Sequence, residues 1–312
     1  MGTVCDSECV VAETKTVKLS SPDRVLYPED GVTKGDLFAY YEQVAPTLVL
    51  HLRDRPFTMK RYPHGIDGEV FFQKQAPKHL PDWIPTRQFR TWRREGGSRL
   101  VDFALVNSPE AVLFMVQNNC IDMNAWYSRV DKPHRPDFVL FDLDPPDGGF
   151  ELAIEVAHLI RELLEEVGLP GYVKTSGADG IHVVAPIVRR ASFEQTYAFA
   201  ENASRLLEQR HPGKVTTEWL KKKREGVLVD HRQNGWGKTI ASVYSVRPKP
   251  GAPVSTPLHW DELTQDVRPR EFTMQVALER IERQGDLFAP VLEEPRPLGA
   301  AATRLERLTS KA

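Results

Sequence analysis

The chain has 312 residues, with 41 Lys and Arg against 43 Asp and Glu, a balance that excludes a uniformly basic surface and leaves only a local patch for a polyanion partner. Its three cysteines, Cys5, Cys9 and Cys120, are odd in number and lack paired Cys-x-x-Cys spacing, which argues against a disulfide framework or a structural zinc site. No stretch is apolar over the length of a membrane span and the N-terminus has no signal-peptide core, so a cytoplasmic globular protein is expected, as one large domain or two lobes sharing a core.

In chain order, residues 1–14 are polar and aperiodic and are expected to be disordered. The segment from Lys15 to Leu52 reads as strand, turn and helix. There Thr33 and Asp36 have capping-box spacing, with Asp in place of the usual Glu. "PFTMKRYPHG" and "EVFFQKQ" read as paired strands, and residues 82–107 as an Arg-rich strand-and-turn region. "SPEAVLFMVQNNC" reads as a helix with Pro109 at its first position, and "IDMNAWYSR" as a strand. "FELAIEVAHLIRELLEEVGLP" is the clearest amphipathic helix, ending at Gly168 and Pro170. Then come strand, glycine loop and strand in "GYVKTSGADGIHVVAPI", a helix over 192–210, strand, long turn and strand in "GVLVDHRQNGWGKTIASVYSVRP", a helix over about 273–284, and a Pro-rich tail. Without strict βαβ alternation, this order predicts a mixed α/β (α+β) fold.

The chemistry is concentrated in "DFVLFDLDPP". An apolar run ends in Asp142 and Asp144, and residues two apart on a strand point to the same side. Two carboxylates held that close repel unless something positive lies between them, for which a divalent metal is the natural candidate. The plainer reading is that one aspartate caps the next helix and the other is solvated in a turn. "VLVDHRQNGWGKT" repeats the pattern with Asp230, and three strand-end aspartates suit a two-metal site of oxygen ligands, Mg²⁺ or Mn²⁺. Taken alone, Asp230 reads as a turn residue. In "KTSGADGIH", Gly177, Gly180, Ser176 and His182 suit a phosphate cradle, although a simple hairpin turn fits the glycines equally well.

The order "DLDP", "KTSGxxGxH", "VxVDxxQNxxxKT" and "YSVRP", preceded by "LSSPDRVLYPEDGVTKGDLFAYY" and "RPFTMKRYPHGIDGEVFFQKQ", resembles the polymerase domain of the bacterial ligase D end-joining system, in the archaeo-eukaryotic primase superfamily. The resemblance runs from about residue 17 to 290. It implies a primase-like core whose central sheet carries Asp142, Asp144 and Asp230 as metal ligands, plus an N-terminal lobe that grips DNA. The expected division is 15–107 for DNA binding, 108–290 for the catalytic core and 291–312 as a C-terminal tail.

The same resemblance implies nucleotide contacts from Ser176, His182, Gln233, Asn234, Lys238 and Arg247. It also implies a DNA 5′-phosphate pocket at Lys34 and Arg24, with Ser21 and Lys60 as lesser members, and base stacking on Phe71 and Phe72. Implied partners are gapped or broken DNA, nucleoside triphosphates, a separate DNA ligase and an end-binding protein, since no ligase or nuclease domain is seen to follow. The run at 221–224 reads as a solvated basic face. Two positions depart from the pattern: Asp179 stands where a lysine is expected, and Asn124 where some members carry histidine. Two other readings are a catalytically feeble end-bridging protein and a haloacid-dehalogenase-type phosphatase, the latter disfavoured by Pro146.

Overall fold

Along the strand Phe138–Asp144, Val139, Phe141 and Leu143 alternate with Phe138, Leu140, Asp142 and Asp144, and this two-residue period organises the molecule. The computed structural model describes residues 15–92 and 96–310; the segment 1–14, expected to be disordered, lies outside them. Phe138–Asp144 is the third strand of a six-stranded sheet, in the order Val215–Thr216, Val227–Val229, Phe138–Asp144, Ile181–Pro186, Tyr172–Thr175 and Pro257–Leu258. Only the first pair is parallel. The odd-numbered side chains Val139, Phe141 and Leu143 enter a core built with the helices Phe150–Val167, Phe193–Arg210 and Leu298–Thr309.

Leu140 and Phe138 point the other way, into a second core. There an antiparallel four-stranded sheet, Thr239–Ala241, Cys120–Trp126, Phe57–Arg61 and Phe71–Gln73, packs with the helix Lys34–Leu52. Hydroxyls fasten that helix: Tyr41 donates to the Ile121 carbonyl at 2.6 Å and Tyr40 to the Tyr244 carbonyl at 2.7 Å. The helix begins at Thr33 with the expected reciprocal capping box to Asp36. Strand Cys120–Trp126 is buried throughout, as a strand covered on both faces must be. Asp142 and Asp144 share the parity of Leu140 but lie past the end of the apolar packing, so they emerge where the two sheets part. Among the described residues no helix is long and apolar enough to cross a membrane.

Two expectations about organisation need correction. Residue 107 is not a structural boundary, because the four-stranded sheet interleaves Phe57–Arg61 and Phe71–Gln73 with strands from beyond it, Cys120–Trp126 and Thr239–Ala241. Nor do the described residues after 290 form a tail. Leu298–Thr309 is a helix that buries Leu298, Ala301 and Leu305, and the Arg304 Nη1 donates to the carbonyl of Val167 at 2.8 Å, meeting the C-terminal end of a neighbouring helix. Pro295 and Pro297 suggested a tail, yet the apolar positions behind them recur at helical spacing.

Candidate active site

Register sets the centre of the site. His182 pairs across the ladder with Asp142 on one side and Lys174 on the other, so Lys174, His182 and Asp142 form a row on one face of three adjacent strands. Asp144 is opposite Leu228 on the remaining neighbour, the strand Val227–Val229. That ladder continues one step further: the Asp230 backbone N–H donates to the Asp142 carbonyl at 2.8 Å. Three aspartates distant in sequence thus meet at one edge. Asp142 and Asp144 border a cleft of about 1080 Å³ between the two sheets, whose walls also include Ser176, His182, Lys60 and Arg247, while Asp230 is buried just behind them.

The edge is short of positive charge. Burial raises the Asp142 carboxyl to about 6, against the pull of Lys174 and Arg247. Burial and the Asp142 charge raise Asp144 to about 6 as well, and both act in the same direction on Asp230. The Asp230 carboxylate also accepts the Arg232 N–H at 3.0 Å, so it serves its turn in addition to facing the other two. Among the described residues no three His, Cys, Asp or Glu side chains gather as a ready-made metal cage, so the aspartates form an open acidic edge.

Beside the acids, at the same end of the sheet, lies the loop Ser176–Gly180, which leads into Ile181, the partner of Leu143. The Ser176 hydroxyl accepts from the N–H groups of Ala178 and Gly180, both at 3.1 Å, and the Arg247 guanidinium donates to the Ser176 carbonyl. Gly177 has φ +68°, and a Cβ there would press on the Arg247 side chain and the Ser255 backbone, so glycine is what lets the arginine lie against the loop. Asp179 sits exposed on the rim, 3.3 Å from the Lys249 ammonium, so a local cation offsets its charge.

Several expected residues occupy other places. Gln233 lines the cleft, but Asn234 is buried in the fold: it accepts from the Leu140 N–H at 2.9 Å and donates to the Leu140 carbonyl at 2.8 Å, clamping the strand that carries the aspartates. Lys238 is exposed and is not among the cleft residues. Lys60 belongs to this cleft and not with Lys34: its ammonium lies 3.0 Å from Asp122 and 5.2 Å above the Phe72 ring. Phe71 and Phe72 are both exposed, at 43% and 70%, where strand alternation allows only one of them to need it.

At the other predicted site, Lys34 is 2% exposed and its ammonium donates to the Ser20 carbonyl and Gln117 Oε1. Burial lowers its pKa, and the neighbouring Arg24 lowers it further. The N–H groups of Lys34, Gly35 and Asp36 are already bonded to Arg24, Pro22 and Thr33, so the helix start offers none of these three to a phosphate. Arg24 and Ser21 are exposed beside it.

Three residues in or behind the cleft wall escaped the sequence reading in whole or part. Lys174, 2% exposed, supports His182 from behind. Asp122, with no exposure, holds Lys60 and lies 3.9 Å from the Arg247 Nε. Asn124 lines the cleft while donating to the Asp122 carbonyl at 3.0 Å. Parity was the available signal for Lys174, which lies two residues before Ser176 on the same strand end.

A mixed α/β core with three aspartates gathered at one end of a largely antiparallel sheet, beside a glycine loop and with cations lining the same cleft, defines a nucleotidyltransferase of the primase-polymerase class. The family model described as the LigD primase-polymerase domain matches residues 33–288, and the chain belongs to that family. It is 32% identical over 279 residues to the multifunctional non-homologous end joining protein LigD of Mycolicibacterium smegmatis, covering 88% of this chain and 36% of that protein. With the bifunctional LigD of Bacillus subtilis the identity is 29% over 314 residues, 98% of this chain and 50% of that one. The chain therefore spans half or less of these relatives. The solved polymerase domain of Mycobacterium tuberculosis ligase D, in complex with DNA, superposes with a TM-score of 0.82 at 30% identity, over 90% of this chain and 99% of that one. The fold is the archaeo-eukaryotic primase fold.

Proposed function

We propose that the chain is a DNA-repair polymerase that adds nucleotides, ribonucleotides by preference, to 3′-OH ends at gaps and breaks. The observation that carries this reading is the pair of strand-end aspartates, Asp142 and Asp144, lining one cleft with Ser176 and Arg247, with Asp230 tied by its backbone to Asp142. Three gathered carboxylates, from buried Asp230 to exposed Asp144, with Asp142 and Asp144 raised to about 6, offer the oxygen ligands that suit hard divalent cations such as Mg²⁺ or Mn²⁺. Asp142, Asp144 and Asp230 would hold two of them. Bound there, the ions would lower the pKa of the primer hydroxyl and offset charge on the triphosphate and the leaving pyrophosphate.

The chain's own groups do the rest. The loop Ser176–Gly180, with Arg247 against it, receives the triphosphate, and His182 offers it a ring N–H. The primer 3′-oxygen attacks the α-phosphorus as the bond to pyrophosphate breaks, and the side chains fix that alignment. Asp122 keeps the Lys60 ammonium against the cleft wall, under the exposed Phe72 ring that a template base can cover. An end-binding protein would act before this step and a ligase activity after it.

Extension of a gapped duplex with ribo- and deoxyribonucleotides, with Mg²⁺ and Mn²⁺ compared, tests the reading. Metal-dependent addition is expected. Tight binding to the duplex with no addition under any of these conditions would favour the end-bridging alternative.

A further inference from the structure

The strand Phe138–Asp144 has a second end, roughly 20 Å from Asp144 at the usual rise per residue. There Phe138 pairs with Pro186, and the flanking residues Asp137 and Ile187 border a pocket of about 380 Å³. Its walls carry the cations Arg129, Lys132, Arg189 and Arg190, and Asp137 is the one carboxylate among the described residues that line it. That carboxylate is already shared: Arg55 donates to it through both Nη atoms, at 2.9 and 2.7 Å, and the Arg129 Nε lies 3.3 Å away. Arg189 pairs with Asp131, which is exposed outside the pocket, while its own Nε is buried without a partner. Lys132 and Arg190 are exposed, and neither is in an ion pair among the described residues. A chain with a formal net charge of -2 thus gathers positive charge at the end of the sheet away from its aspartates.

The floor is apolar, with Ile187 and Val291 buried beside Leu292. Val188 and Arg190 also line a neighbouring pocket of about 600 Å³, whose other walls include Phe199, Leu298, Ala302 and Leu305. Glu306, the one carboxylate lining that second pocket among the described residues, is exposed. The two pockets adjoin as one furrow, cationic at one end and largely apolar at the other, with Arg190 between them. A lone phosphate would use the cations and leave the apolar walls wet. A duplex backbone presents a convex row of phosphates without apolar side chains, so it matches only one end. A peptide that carries carboxylates beside aliphatic or aromatic side chains matches both. We propose that this furrow docks an acidic, apolar-anchored peptide segment of a partner protein. Its carboxylates lie at Lys132, Arg189 and Arg190, and its apolar side chains lie between the helices Phe193–Arg210 and Leu298–Thr309. An exposed pair such as Arg189–Asp131 contributes little, so an incoming carboxylate displaces Asp131 at small cost. The furrow is separate from the cleft, and its assignment does not rest on the polymerase reading.

Fluorescence anisotropy of short labelled peptides with the full chain tests this. The probe is a mixed pool in which Asp or Glu is interspersed with Leu, Ile or Phe. One control pool has Asn or Gln in place of the acids, and a second has Ser in place of the apolar residues. The acidic, apolar pool is expected to bind, and each control to bind at least about tenfold more weakly. The double variant Lys132→Glu with Arg190→Glu, which alters two exposed side chains, is expected to lose at least about tenfold in affinity for that pool. Primer extension by this variant is expected to match that of the unaltered protein. No binding of the pool above its controls, or equal binding by the double variant, overturns the proposal. A DNA duplex that displaces the pool and loses affinity in the same variant would make the furrow a nucleic-acid contact instead. A dimer in sedimentation that the double variant dissolves would make it an interface between copies of this chain, and either result overturns the peptide assignment.

Discussion

The backbone N–H of Asp230 donates to the backbone carbonyl of Asp142 over 2.8 Å, one step beyond the paired residues Val229 and Leu143. The carboxylates are therefore set by the ladder of the central sheet and not by a flexible loop. Asp230→Ala leaves that backbone bond in place and removes only the side chain. We expect nucleotide addition to fall by at least about a hundredfold, as for loss of a metal ligand, while binding to duplex ends stays within about twofold. Extension at a tenth of the unaltered rate would take Asp230 out of the reaction.

Asp122 is a second carboxylate with a defined burden. It is fully buried, and the Lys60 ammonium and the Arg247 guanidinium both face it. Removing it leaves two cations without their counter-charge in a poorly solvated place. We expect Asp122→Ala to lower stability by about 3 kcal/mol, within the range for breaking a buried pair from one side, measured by urea unfolding. A loss under about 1 kcal/mol would mean that water already screens this cluster.

The pH dependence follows from the raised carboxyls. Asp142 and Asp144 titrate near about 6 in the folded protein, above the ordinary aspartate value of about 4. Their ionisation is therefore disfavoured by the fold, and the metal-free protein gives up stability as the pH rises from about 4 through 6. A cation that binds the charged forms competes with those protons. Mn²⁺ should raise the melting temperature near neutral pH and lose that effect below about pH 5. An equal shift at both would place the cation elsewhere.

At the helix start, the first-turn N–H groups and two hydrogens of the Lys34 ammonium are already committed within the protein. Selection for a 5′-phosphorylated gap then falls chiefly to exposed Arg24, with Lys34 supplying background charge. We expect Arg24→Ala to abolish the preference for a phosphorylated over an unphosphorylated gap and to change affinity for the unphosphorylated duplex little. A uniform loss on both duplexes would reduce Arg24 to a general backbone contact.

The parts of this molecule that obey a local period were legible in sequence. The alternation in Phe138–Asp144 placed Asp142 and Asp144 on one side, and Thr33, Ser108 and Gly168 marked helix ends that the structure keeps. What the sequence hid depends on who sits opposite whom. Asn234 looked like a ligand-binding polar residue in a turn, but the turn folds back onto Leu140 and consumes its amide. Lys60 looked like a phosphate contact because its partner, Asp122, lies 62 residues away on the adjoining strand. Lys174 shared its parity with Ser176, but its pairing with His182 follows from cross-strand register that no single segment contains. The helix at Leu298–Thr309 was periodic all along, with the prolines before it masking the pattern.

The most direct measurement of the central claim is single-nucleotide addition to a gapped duplex by the unaltered protein and by Asp142→Asn and Asp144→Asn, each with Mn²⁺, with Mg²⁺ and with chelator. These substitutions keep the shape of the side chains and remove the charge that would hold the cations. We expect extension by the unaltered protein with a divalent metal, none with chelator, and a drop of at least about a hundredfold in each variant with duplex binding retained. Extension that persists in both variants, or that proceeds in chelator, would contradict nucleotidyl transfer at these aspartates.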